Sequence, residues 1–206
     1  DIRVIIGNPP YSKGQSSGND DNANNSYPTL DGKIRDTYAA LSAAGNKNNL
    51  YNSYIRAIRW ASDRIGDAGV VAFVTNGGFL DSNTAQGLRL SLLSEFSKVF
   101  VLNLRGASRI GGETGKREGG NVFPVTVPIA ISVFVKRPGA SSGGQLRYFD
   151  IGEYMSGVDK LARLRQMKSL GGVPWRLIDA SAEGDWLHHR SQSFAAFSPL
   201  IEKNSG

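Results

Sequence analysis

Two adjacent prolines stand directly behind a short apolar run in the segment Val4-Ile5-Ile6-Gly7-Asn8-Pro9-Pro10-Tyr11. The run predicts a buried strand. Neither proline can donate to a sheet ladder, so the strand must end there. Pro9 and Pro10 hold φ near −65° and bias each preceding residue towards extended geometry, which makes the turn stiff. Such a turn presents a side-chain amide oxygen (Asn8), a backbone carbonyl (Pro9) and an aromatic ring (Tyr11) together at a strand end.

Those three groups suit a planar exocyclic amine. An NH2 conjugated to a heteroaromatic ring is a weak nucleophile because its lone pair is delocalised. If the Asn8 oxygen and the Pro9 carbonyl each accept one of its hydrogens, the nitrogen is drawn towards tetrahedral geometry as charge develops, with Tyr11 stacked on the ring.

Periodicity supplies the frame around this turn. Leu50, Tyr54, Ile55, Ile58, Ala61 and Ile65 recur at helical spacing, with Arg56, Arg59, Asp63 and Arg64 on other faces. Val70–Val74 is an unbroken apolar run of strand length, expected to be buried on both sides and to end at Thr75-Asn76-Gly77-Gly78. Ser82 or Asn83 is placed to cap a helix over 84–96, and Val99–Leu104 forms the next strand. Strand, helix, strand, helix, strand predicts an α/β fold with a parallel, doubly wound sheet. In such sheets ligands bind at the carboxyl ends of the strands, where Asn8 and Asn76 both fall. Val127–Val135 follows without an intervening helix and is expected to run antiparallel.

Between these elements lie two stretches of different character. Residues 12–48 are rich in Ser, Gly, Asn and Asp and show no clear period, so a mobile loop closing over substrate is expected. Residues 105–121 are glycine-rich and basic, with Arg105, Arg109, Lys116 and Arg117 as candidate nucleic-acid contacts. The segment Gly111–Lys116 is not a phosphate-binding P-loop, because no glycine stands five positions before Gly115 and Arg117 occupies the Ser/Thr position. Beyond Pro138 a Gly/Ser hinge leads to a short strand over 145–150 and a basic amphipathic helix over 158–170, with Lys160, Arg163 and Arg165 mostly outside. His188 and His189 are adjacent and lack a cysteine or spaced carboxylate, so no metal site is expected.

Charge adds a partner class. The net charge is +6, and residues 105–206 carry 14 basic against 9 acidic side chains. A basic half suits a polyanion such as double-stranded DNA. No run approaches the roughly 20 apolar residues of a membrane span, and a cytoplasmic protein without membrane contact is expected. There are no cysteines, which excludes methylation of cytosine at C5 through a cysteine nucleophile.

Asn8-Pro9-Pro10-Tyr11 resembles the fourth motif, (Asp/Asn/Ser)-Pro-Pro-(Tyr/Phe/Trp), of amino-methyltransferases that use S-adenosylmethionine. With the helix Tyr51–Ala57, the strand Gly69–Val74 before Gly78-Phe79-Leu80-Asp81, and Val122-Phe123-Pro124 before an Ile/Val-rich strand, the chain keeps the order of motifs four to eight in gamma-class DNA adenine-N6 methyltransferases. The run Tyr54–Ile65 and the segment Asp185–Arg190 are similar to the methyltransferase region of Type ISP (single-polypeptide Type I) restriction-modification enzymes. The resemblance implies the C-terminal half of a Rossmann-like methyltransferase sheet over 1–137, followed by a small helical or irregular extension over 138–206 towards a target-recognition domain. It implies Asn8, Pro9, Pro10 and Tyr11 as catalytic, Asn8 beside the cofactor, and Tyr11 and Phe123 stacking on a flipped adenine.

The family's first motif, a Phe-x-Gly-x-Gly loop that holds S-adenosylmethionine, has no counterpart in these residues. A fragment of a larger enzyme, with little activity alone and with the remaining domains of the parent polypeptide as partners, is therefore expected. Two other readings stay open. Methyltransferases acting on a glutamine side chain or an RNA base share Asn-Pro-Pro-Tyr, and a non-catalytic DNA-binding module can retain the fold.

Overall fold

The computed structural model describes residues 2–11, 27–139 and 143–188. Six strands form one mixed sheet: β1 (Val4–Gly7), β2 (Gly69–Asn76), β3 (Lys98–Arg105), β4 (Ile129–Lys136), β5 (Gln145–Asp150) and β6 (Arg176–Ile178). Their order is β1-β2-β4-β3-β5-β6. β1 pairs parallel to β2, and β4 lies between β2 and β3, antiparallel to both. The expected parallel strands and the inserted antiparallel strand are both present. β5, beyond the boundary expected at residue 137, extends the same sheet parallel to β3.

Strand residues alternate between two faces, and the faces are covered unequally. Val71, Phe73, Val99, Val101, Ala130 and Phe134 meet the helices α1 (Pro28–Ile34), α2 (Ser53–Arg64) and α3 (Gln86–Glu95) in the larger core. On the opposite face a smaller core joins Leu102, Leu104 and Ile129 to Leu164 and Met167 of α5 (Gly157–Met167) and to Trp175. Within this chain β1 pairs on one side only, with β2, and Val4 is 58% and Ile6 79% exposed. One expectation of burial fails because the two faces are covered unequally. In β2 only Val71, Phe73 and Thr75 are fully buried, while Val70, Ala72 and Val74 are half-buried.

Residues 27–48 correct the expectation of a mobile loop across 12–48. α1 continues into a π-helical turn over Arg35–Ala39, and Ile34 and Tyr38 are fully buried. The contact with α3 is so close that a Cβ on Gly87 would stand 1.9 Å from the Tyr38 carbonyl oxygen. Few but well-spaced apolar side chains anchor this segment, and polar composition concealed them. Residues 12–26 lie outside the described residues.

Two basic residues assigned to outer faces are internal. Arg59 is 5% exposed, donates to Asp63 and Glu95 and lies over the Tyr38 ring. Lys160 is fully buried, and its Nζ donates to the carbonyls of Glu118 and Gly120 at 2.7 and 2.8 Å. Ser156 caps α5, its hydroxyl accepting from the Asp159 amide. Among the described residues no helix is long and apolar enough to cross a membrane.

Candidate active site

At the carboxyl end of β1 the chain turns through Asn8, Pro9 and Pro10, leaving Asn8 and Pro10 exposed and Pro9 half-buried. Tyr11 folds back under the turn. Its hydroxyl donates to the Asn8 Oδ1 at 2.7 Å and lies 3.4 Å from the Val74 carbonyl of β2. Its ring is half-buried and touches both cores. Burial raises the Tyr11 hydroxyl pKa above its ordinary value, so the group remains a donor at neutral pH. An amide oxygen has two acceptor positions, and the one not used by Tyr11 is open to an incoming donor.

Phe123 is 40% exposed in the loop that leads to β4. Asn121 organises that loop with its whole side chain. Its Nδ2 donates to the carbonyls of Gly106 and Val127 at 2.9 and 2.8 Å, and its Oδ1 accepts from the Phe123 amide at 3.1 Å. Gly106 has φ +95°, and a Cβ there would stand 2.9 Å from the Asn121 side chain. Buried Lys160 grips the same loop from α5 through the carbonyls of Glu118 and Gly120, shortly before Asn121. Sequence reasoning missed Asn121 and Lys160, because their partners are backbone carbonyls brought together only by the fold.

The four basic candidates separate. Arg105 takes a left-handed backbone, φ +56°. Its side chain is 19% exposed and faces Asp150 at 2.7 Å, Glu153 at 3.5 Å and Glu118 at 3.7 Å. Its charge is therefore used inside the protein, and Tyr148 and Asn103 complete the network behind Asp150. Arg109, Lys116 and Arg117 are exposed, the last two on α4 (Gly112–Glu118), a helix where a glycine-rich loop was expected. Arg117 stands beside the exposed Tyr154, whose hydroxyl donates to Glu113 at 2.6 Å.

At the opposite rim His188 Nδ1 lies 2.9 Å from an Asp81 carboxylate oxygen. His189 lies outside the described residues. Among the described residues no group of three or more potential ligands is placed to hold a metal ion.

No protein-family model and no curated protein sequence matches the chain. Solved structures do. A nuclease-deletion mutant of the Type ISP restriction-modification enzyme LlaGI, in complex with a DNA substrate mimic, superimposes with a TM-score of 0.91 at 43% identity over 99% of this chain. The ATP-dependent Type ISP restriction-modification enzyme LlaBIII bound to DNA gives 0.93 at 38% identity over 100%. A DrdV–DNA complex gives 0.84 at 35% identity over 93%. This chain spans 17%, 14% and 18% of those three chains.

Proposed function

From the premise that this chain belongs to the Type ISP restriction-modification enzymes, we propose that it carries the base-capturing turn of a DNA adenine-N6 methyltransferase. The observation that carries the reading is the exposed Asn8 carboxamide at a strand end, its oxygen oriented by the Tyr11 hydroxyl. A target adenine, extruded from the duplex, places its N6 amine against the Asn8 Oδ1 and the Pro9 carbonyl. Both acceptors gain strength as positive charge develops on that nitrogen, so they bind the transition state better than the ground state.

Tyr11 and Phe123 flank the extruded ring in this reading, and the Asn121 and Lys160 contacts hold Phe123 at its place in the loop. S-adenosylmethionine, when bound, supplies an electrophilic methyl group on a sulfonium. The fit of this chain to it rests on Asn8, a neutral exposed carboxamide at the carboxyl end of β1. The other cofactor contacts belong to further parts of the parent polypeptide. Arg109, Lys116 and Arg117 contact the DNA backbone, and Arg105 supports the sheet end from within.

The test uses the full-length protein. Incubation with plasmid DNA and S-adenosylmethionine should yield N6-methyladenine by mass spectrometry of digested nucleosides. Methylated glutamine or RNA in place of methylated DNA, or no transfer at all, would overturn the reading. Family membership favours DNA over a protein or RNA acceptor.

A further inference from the structure

A cavity of about 290 Å³ opens beside the carboxyl end of β2, between the start of α2 and the 3-10 turn over Gly77–Leu80. Its polar lining is neutral. Asn49, Asn52, Asn76 and Tyr54 face it, together with Ser82 and Thr84, and no charged side chain lines it among the described residues. Its apolar wall is made by Leu50, Ile55 and Phe79, all buried in the core.

Two polar groups in this cavity lack partners inside the protein. Tyr54 is 5% exposed, and its hydroxyl has no hydrogen-bond partner among the described residues. The Asn52 Oδ1 is buried and also without a partner. Asn52 occupies the N-cap position of α2, where an asparagine ordinarily turns its side chain back to the helix amides, yet it makes no such bond. The Asn76 Oδ1 is already used by the Gly78 amide at 2.7 Å, which directs its NH2 away from that turn. The unsatisfied buried acceptor of Asn52 costs stability, and the cost is recovered when a ligand brings a complementary donor.

We propose that this cavity is a second nucleobase-binding site, which takes an unpaired DNA base other than the methylation target. Absence of charge disfavours phosphate, carboxylate and metal ligands. A flat heterocycle with apolar faces and a mixed donor and acceptor edge matches both the apolar wall and the carboxamides, which pair with base edges in two-bond geometry. The size, at the small end of ligand pockets, suits one base. The cavity lies close to the catalytic turn: the Tyr11 hydroxyl is 3.4 Å from the Val74 carbonyl, two residues before Asn76. Assignment of the base to DNA rests on the methyltransferase reading above, whereas the cavity's chemistry does not.

The experiment is a fluorescence titration of the full-length protein with 2-aminopurine deoxyriboside, in an Asn8→Ala, Tyr11→Ala, Phe123→Ala background so that the turn loses its side-chain acceptor and both stacking faces. Saturable quenching is expected, with affinity lowered about tenfold by either Tyr54→Phe or Asn52→Ala. Tyr54→Phe keeps the ring and the packing, and an unchanged thermal melt confirms that the fold is intact. No saturable signal, or equal affinity in the parent and both variants, overturns the proposal. Equal competition by N-acetylalanine methylamide also overturns it, since the cavity would then be a peptide site. Failure of the methyltransferase reading shows separately, as absence of N6-methyladenine.

Discussion

The Tyr11 hydroxyl donates to the Asn8 Oδ1 at 2.7 Å, across the two prolines that separate them. The aromatic residue thus orients the amide oxygen as well as offering a ring. The two roles separate by mutation. Tyr11→Phe keeps the ring and should lower the single-turnover methylation rate of the full-length protein roughly tenfold, the worth of one orienting hydrogen bond. Asn8→Ala should lower it about a hundredfold or more, as loss of a transition-state acceptor does. DNA affinity should change little in either variant, because phosphate contacts dominate it. A Tyr11→Phe enzyme as fast as its parent would show that the hydroxyl does not orient Asn8.

Capture of the base should respond differently. Tyr11→Ala and Phe123→Ala remove aromatic faces that offset part of the few kcal/mol needed to unstack a base. Both should be partly rescued when the target adenine is mismatched, because less energy is then needed to extrude it. Asn8→Ala should not be rescued. Single-turnover rates on matched and mismatched duplexes compare the three directly, and equal rescue of all three would remove the distinction between stacking and acceptance.

The strands were readable from the chain because apolar runs such as Val70–Val74 and Val99–Leu104 sit between helical periods, and the antiparallel β4 followed from the missing helix before it. Residues 27–48 read as a loop because Ile34, Tyr38 and Ala39 are few in a polar sequence, although all three are buried in the larger core. Helical periodicity places Arg59 and Lys160 outside, because it takes no account of the carboxylates and carbonyls that satisfy a cation. Within the site, Asn8 to Tyr11 were readable as a local motif. Asn121 was not, since its importance lies in contacts with Gly106 and Val127 from separate parts of the chain.

Gly87 tests the packing of residues 27–48. The Gly87 Cα faces the Tyr38 carbonyl, and a Cβ would also stand 2.9 Å from the Ser42 amide nitrogen. Backbone on both sides leaves no flexible side chain to yield. Gly87→Ala should gain slightly from helix propensity but lose more by pushing the segment off α3, for a net destabilisation of about 2 kcal/mol or more. A urea melt measures this. A variant as stable as its parent would mean that the segment is not held against α3 as described.

Lys160 offers a prediction that couples stability to the loop carrying Phe123. Its ammonium is enclosed by protein and donates to the Glu118 and Gly120 carbonyls. Lys160→Met preserves much of the volume but leaves two acceptors without their donor, and should cost about 2 kcal/mol. The pH dependence has a definite sign. Burial lowers the Lys160 pKa below its ordinary value of 10.5, so between the folded value and 10.5 the unfolded chain binds more protons than the folded one. Stability from this group is therefore lowest while the lysine is charged in both states, and rises with pH through that window. Methionine has no such dependence, so the stability gap between parent and variant should widen from pH 7 towards pH 10. The same variant should weaken Phe123-dependent base capture without altering the Asn8 step, seen as a rate that recovers on a mismatched target. Urea melts at the two pH values and single-turnover rates on matched and mismatched duplexes check both halves. A gap that narrows with pH would show that the buried amine gains rather than loses proton affinity on folding.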